Sequence, residues 1–242
     1  MIRCGFASDK ENATCLYKTS IDGDIAAGLM LTGFGTPPVP GAICDNPIQK
    51  TVDFAATYFQ KVMDTLLEQE YTDLEAVKSI LLQKCAKLND NLAHISRSVG
   101  FGVYLTGTIC YVANERFICL PFGGAYACVW DRENFTPLTN KALPEQDPLY
   151  IRDALGGAIT WPGAFDEGTL AVGSQILCMT QPPPEGLLEP LMSRLIHTNQ
   201  VVLPASIYKG LERGIMPLAV LNIAQAANLG PARIGNNTKV ED

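Results

Sequence analysis

The sequence predicts an α+β domain in which antiparallel strands build the core and helices cover it. Three observations carry this. Residues 47–99 hold two long apolar stripes at helical spacing, and from Gly102 the pattern switches to β-rich runs separated by tight turns. No internal repeat or linker divides the chain. Its 242 residues, 47% of them apolar, suffice to bury a sizeable core. A sheet-on-sheet core with helices outside is a natural packing for such elements.

The elements follow in order. Ile2–Ala7 and Ala27–Leu31 read as strands, with Asp22-Gly23-Asp24 as a turn. Thr36–Gly41 carries three prolines and reads as a loop. Asn46-Pro47 is a cap followed by proline at the first helical position. Val52, Ala55, Ala56, Phe59, Val62 and Leu66 then form one stripe, predicting a helix over 47–70. A second helix, 73–99, opens with a capping box, Thr72-Asp73-Leu74-Glu75. Its stripe runs Leu74, Val77, Leu81, Cys85, Leu88, Leu92, Ile95, Val99, and Gly100 stops it. Both polar faces are mixed in sign, so the stripes face a core and not a membrane.

Val103–Ala113, Arg116–Pro121, Ala125–Trp130 and Phe135–Leu138 read as an antiparallel meander, with Asn114-Glu115 as a tight turn and Gly123-Gly124 as punctuation. Thr169–Val172 and Gln175–Thr180 flank a Gly173-Ser174 turn. Helices at Leu187–His197 and Pro204–Arg213 precede a last strand, Leu218–Ile223. The expected domain is 1–226, and 227–242 lacks periodicity and reads as a loose tail.

Composition excludes several function classes. The net charge is −7 with no Lys/Arg cluster, which argues against nucleic acid and anionic membranes, since both need a local positive field. No signal-peptide core opens the chain and no apolar run reaches spanning length, so a cytoplasmic protein is expected. The glycosylation-like triplets at Asn12 and Asn236 then carry no meaning. The eight cysteines include no Cys-x-x-Cys pair, several lie in apolar runs, and there are only two histidines. This argues for small buried hydrophobes and against zinc.

The remaining candidate sites are weak. Asp22 and Asp24 fit a solvated turn better than a metal site, which needs carboxylates from several strands. Gly33-Phe34-Gly35 and Gly100-Phe101-Gly102 lack the third glycine of a nucleotide loop and serve backbone geometry. His94 and His197 read as surface or capping residues, and Cys178 lies in an apolar strand without a base nearby in sequence. Pro182-Pro183-Pro184 reads as a stiff connection into the helix at Leu187, with a polyproline ligand as the alternative.

In order and wording the elements resemble the metal-dependent protein phosphatases (PPM, type 2C) over nearly the whole chain. Gly5-Phe6-Ala7-Ser8-Asp9-Lys10 resembles that family's opening strand and Ser-Asp turn. Leu29-Met30-Leu31-Thr32-Gly33-Phe34-Gly35 resembles the strand ending in Asp-Gly-Met-Gly. Phe122-Gly123-Gly124-Ala125-Tyr126-Ala127-Cys128-Val129-Trp130 resembles the Val-Gly-Asp-Ser-Arg-x-Tyr strand pair, and Phe135-Thr136-Pro137-Leu138-Thr139 the Leu-Thr after it. Ile151-Arg152-Asp153-Ala154-Leu155-Gly156-Gly157 resembles the Ile-Thr-Arg-x-Leu-Gly turn. Leu170–Thr180 resembles the hairpin that ends in Ser-Asp-Gly. The resemblance implies a β-sandwich of two antiparallel sheets flanked by helices. In active members two Mg²⁺ or Mn²⁺ ions between the sheets lower the pKa of a bridging water that attacks phosphorus.

The chemistry-bearing positions depart from that pattern. The Asp-Gly aspartate falls on Thr32, the Gly-Asp position on Gly124, the Ser-Asp-Gly aspartate on Gln181, and the C-terminal Asp-Asn pair near Met216-Pro217. An ungapped match puts the phosphate-binding Arg on Thr14 and the Asn-Glu-Asp triplet on Tyr17-Lys18-Thr19, where Lys18 could fill a cation's space. No mapped position keeps a carboxylate, and acids lost together with the metals they compensate is a self-consistent change. The sequence therefore reads as a catalytically inactive phosphatase-like protein with no catalytic, cofactor or metal residues. It would bind a protein partner or a small ligand on the cleft rim, at Thr32–Gly41 and Gln181–Gly186. The alternatives are an active serine/threonine phosphatase with a divergent metal site and a purely structural subunit.

Overall fold

A computed structural model describes residues 1–8, 13–35, 47–99, 102–131, 133–138, 153–157, 163–183, 186–196 and 219–225. The expected helix Pro204–Arg213, the tail 227–242, Met216-Pro217, the whole Thr36–Gly41 loop and Pro184 lie outside these residues. The elements are β1 (Ile2–Ser8), β2 (Ala13–Thr19), β3 (Ile25–Gly35), α1 (Pro47–Glu68), α2 (Leu74–Val99), β4 (Val103–Ala113), β5 (Arg116–Phe122), β6 (Tyr126–Trp130), β7 (Phe135–Pro137), β8 (Asp166–Thr169), β9 (Gln175–Met179), α3 (Leu188–Ile196) and β10 (Ala219–Gln225).

They form two five-stranded sheets, ordered β1-β10-β9-β6-β7 and β2-β3-β4-β5-β8, and every pairing is antiparallel. Side-chain alternation assigns the layers. On β4, Leu105, Ile109 and Tyr111 meet the apolar stripes of α1 and α2, while Cys110 and Val112 face the other sheet. On the first sheet, Ile176, Cys178, Leu221 and Ile223 close the inter-sheet core. Its other face, Trp130, Leu177, Met179 and Val220, is covered by Leu188, Leu191 and Met192 of α3. The result is helix, sheet, sheet, helix in layers. Polar ties pin the outer helices: the Tyr111 hydroxyl donates to the Tyr71 carbonyl at 2.8 Å, just beyond α1, and Lys18 on β2 pairs with Asp64 of α1.

Several expectations need correction. The strand β2 escaped the sequence reading because only Ala13, Cys15 and Tyr17 alternate inward and the outer face carries Thr14 and Lys18. The run after Val103 is not one meander. β4 and β5 form a hairpin through Asn114 and Glu115, both with φ above zero (50° and 63°), the geometry of a primed two-residue turn. The chain then leaves the second sheet at Gly123 (φ 64°) and Gly124 (φ 80°), and β6 joins the first. Two left-handed residues turn the chain too sharply for β6 to lie back on β5. The expected hairpin at Thr169–Thr180 is likewise split, since β8 ends at Thr169 beside β5 and β9 belongs to the other sheet. The α2 cap is Asp73 and not Thr72: its carboxylate accepts the Glu75 amide at 3.0 Å.

Candidate functional site

Register places the three mapped positions at one end of the sandwich. Thr32 lies opposite Ala13 of β2 and Thr106 of β4. Thr106 abuts the sheet crossing: a β-carbon built on Gly123 would sit 2.7 Å from Thr106 Cβ. Gly124 follows directly. In the first sheet Tyr126 pairs with Met179; Gly124 precedes Tyr126 by two residues, in the turn that Ala125 closes onto Phe122, and Gln181 follows Met179 by two. The segment 153–157 closes the same end. Leu155 exchanges both backbone hydrogen bonds with Leu105, at 2.9 and 3.0 Å, and the Gly156 amide donates to Asn89 Oδ1 of α2. Thr32, Gly124 and Gln181 thus lie toward the same end of the sandwich.

The mapped positions themselves are neutral, and the carboxylate at this end among the described residues is that of Asp153 in the closing segment. Alternation on β3 and β4 turns Thr32, Thr106 and Thr108 toward the inter-sheet space, and Thr180 does the same just past β9. All four are buried. The hydroxyl oxygens of Thr106 and Thr108 have no hydrogen-bond partner among the described residues. These hydroxyls were missed in the sequence, because a threonine inside a strand reads as ordinary β-propensity. Hard divalent cations such as Mg²⁺ and Mn²⁺ need anionic oxygen donors. Buried hydroxyls, a glycine and an amide supply none, so the described donor set does not fit the family's metal pair.

Other expected residues fall elsewhere. The ungapped placement of the Asn-Glu-Asp triplet on Tyr17-Lys18-Thr19 is displaced along β2, since these residues lie opposite Gly28, Ala27 and Ala26, while the strand position beside Thr32 is Ala13. Lys18 points to α1 and pairs with Asp64, so it does not occupy a cation's space between the sheets. Asp22 and Asp24 are exposed in the β2–β3 turn at the far end of the sandwich, and eight extended residues separate Asp24 from Thr32, roughly 26 Å. His94 is exposed on α2, and His197 lies outside the described residues. The Cys178 thiol is fully buried and its pKa is raised well above the usual thiol value, chiefly by its contact with the Cys110 thiol, so it is no nucleophile. Gly33 needs no unusual φ. It lets α1 approach, since a β-carbon there would lie 2.7 Å from Ile48 Cγ2 and 2.8 Å from Val52 Cγ2.

No family model matches the sequence, and no curated protein does. Solved structures do. A serine/threonine phosphatase of S. agalactiae superposes with a TM-score of 0.69 at 12% identity, covering 93% of this chain and 99% of that one. The serine/threonine phosphatase of Staphylococcus aureus gives 0.67 at 11% identity, with 94% and 95% covered. PppA, described as a key regulatory component of T6SS in Pseudomonas aeruginosa, gives 0.62 at 14%, with 92% and 97% covered. At such identities the likeness concerns architecture, and on that ground this chain has the PPM-type phosphatase fold: two antiparallel sheets flanked by helices, over nearly its whole length.

Proposed function

We propose that this protein is a pseudophosphatase, a phosphatase-like binding or regulatory protein without phosphatase chemistry. The observation that carries the reading is that Thr32, Gly124 and Gln181 lie toward one end of the sandwich with no carboxylate among them, beside the buried Thr106 and Thr108. Function follows the site and not the fold. Two-metal hydrolysis depends on ions that lower the pKa of water and stabilise the leaving oxygen. A neutral donor set can do neither.

Binding is assigned to the same end, to a protein partner or a small ligand in the cytoplasm. Gly33–Gly35 at the close of β3 and Gln181-Pro182-Pro183 after β9 flank the mapped site. Proline there limits the conformational freedom lost on binding. Calorimetric titration with Mn²⁺, paired with p-nitrophenyl phosphate turnover, tests the reading. The expected result is no two-site binding and no chelator-sensitive turnover. Tight binding of two ions together with such turnover would replace the proposal with an active phosphatase whose metal site has moved. A partner recovered equally by the native chain and by one with Gly/Ser replacements at Gly35–Gly41 and Pro182–Pro184 would move binding to another face.

A further inference from the structure

The inter-sheet core contains a second constellation, deeper along β4 and β9 than Thr108 and Thr180. Cys110 of β4 and Cys119 of β5 are register partners, and counted from the two-residue turn at Asn114-Glu115 they form a non-hydrogen-bonded pair, the ladder position where side chains lie closest. Cys178 descends on them from β9 of the opposite sheet. The Cys110 sulfur is 3.0 Å from that of Cys119 and 3.4 Å from that of Cys178, and all three sulfurs lie within 4.8 Å of one another. All three side chains are fully buried among Leu221, Ile223, Phe117 and Met30.

Three sulfurs around one point are the donor set of a soft cation. Thiolate–metal bonds of roughly 2.3 Å in a trigonal plane hold the sulfurs about 4 Å apart, wider than the 3.0 and 3.4 Å contacts of Cys110, an opening that small χ1 adjustments supply. Coordination number selects among soft ions. Zinc in a closed protein site takes four ligands, and three sulfurs converge here. Copper(I) accepts a set of soft sulfur donors alone. Cysteine binds metal as the thiolate, so each bound thiol releases its proton to solvent as the ion enters. We propose that Cys110, Cys119 and Cys178 form a binding site for a monovalent thiophilic cation, copper(I), that staples the two sheets together.

The test uses the full chain, reduced and anaerobic, with free thiols counted beforehand. Copper(I) is titrated in competition with bicinchoninate. The native chain is expected to retain one equivalent, with three sulfur neighbours by X-ray absorption. Cys119→Ala and Cys178→Ala should each lose affinity by at least about tenfold, the loss that even outer-shell changes produce. Cys85→Ala, in the helix-facing core, should bind as the native chain does. No retained equivalent, a two-sulfur shell, or undiminished retention in both Cys119→Ala and Cys178→Ala would overturn the site. If circular dichroism shows the variants unfolded, the sulfur count on the native chain decides.

Discussion

Raising the pH should unfold this protein earlier than most, because its thiols are kept neutral by burial. Cys15, Cys85, Cys110, Cys119, Cys128 and Cys178 are all buried, and each has its pKa pushed up from an ordinary 9.0, Cys128 to about 12. Desolvation is the leading cause at four of them; at Cys110 the contact with the Cys119 thiol comes first, and at Cys178 the contact with the Cys110 thiol. A thiol protonated in the folded state and ionised in the unfolded one makes the folded state the greater proton binder, so stability is complete below pH 9 and falls as pH rises toward 12. At pH 10 each such thiol favours the unfolded chain by about 1.4 kcal/mol, and six together by about 8 kcal/mol, comparable with the ~5–15 kcal/mol of a typical domain. Urea unfolding at pH 8 and pH 10 with a phosphine reductant measures the fall. Lysines and tyrosines also titrate there, so the decisive quantity is a difference. Cys85→Ala should narrow the pH 8 to 10 loss by about 1.4 kcal/mol relative to the native chain, whatever it costs at pH 8. A total loss under about 3 kcal/mol, or an unchanged loss in Cys85→Ala, would refute the argument.

The sheet crossing makes a separate prediction. Gly123→Ala adds left-handed strain and a β-carbon 2.7 Å from Thr106 Cβ, whereas Gly186→Ala at φ 71° meets nothing within 4 Å. Gly123→Ala should cost about 3 kcal/mol and Gly186→Ala about 1 kcal/mol in the same urea assay; equal costs would mean the crossing is not tightly packed. Restoring acids by Thr32→Asp, Gly124→Asp and Gln181→Asp together should yield little Mn²⁺-dependent p-nitrophenyl phosphate turnover. Met216-Pro217 leaves the mapped C-terminal acid pair unrepaired, and Gly124 at φ 80° resists a side chain. Robust, chelator-sensitive turnover by this variant would contradict it.

Much of the fold was legible because its signals are local. The stripes of α1 and α2, the Asn114-Glu115 turn and the Val103–Ala113 strand each follow from residue spacing within one element. Motif order also put Thr32, Gly124 and Gln181, none of them acidic, toward one end of the sandwich. The misplacements had one origin. Nothing within Tyr17-Lys18-Thr19 tells which residue of β3 lies opposite, so an ungapped match set the triplet along β2 away from Thr32.

The sequence by itself determined the element types, the antiparallel α+β character and the absence of carboxylates at the mapped positions, because propensity, periodicity and residue identity are properties of short stretches. Only the tertiary structure decided that β5 and β6 part at Gly123-Gly124 into different sheets, that Lys18 turns to Asp64, and that Thr106 and Thr108 meet the same inter-sheet space as Thr32. It alone also brought Cys178 onto Cys110 across more than sixty residues of chain. Strand partners are chosen by register and by which face is buried, and both are settled between distant segments when the two sheets close on each other.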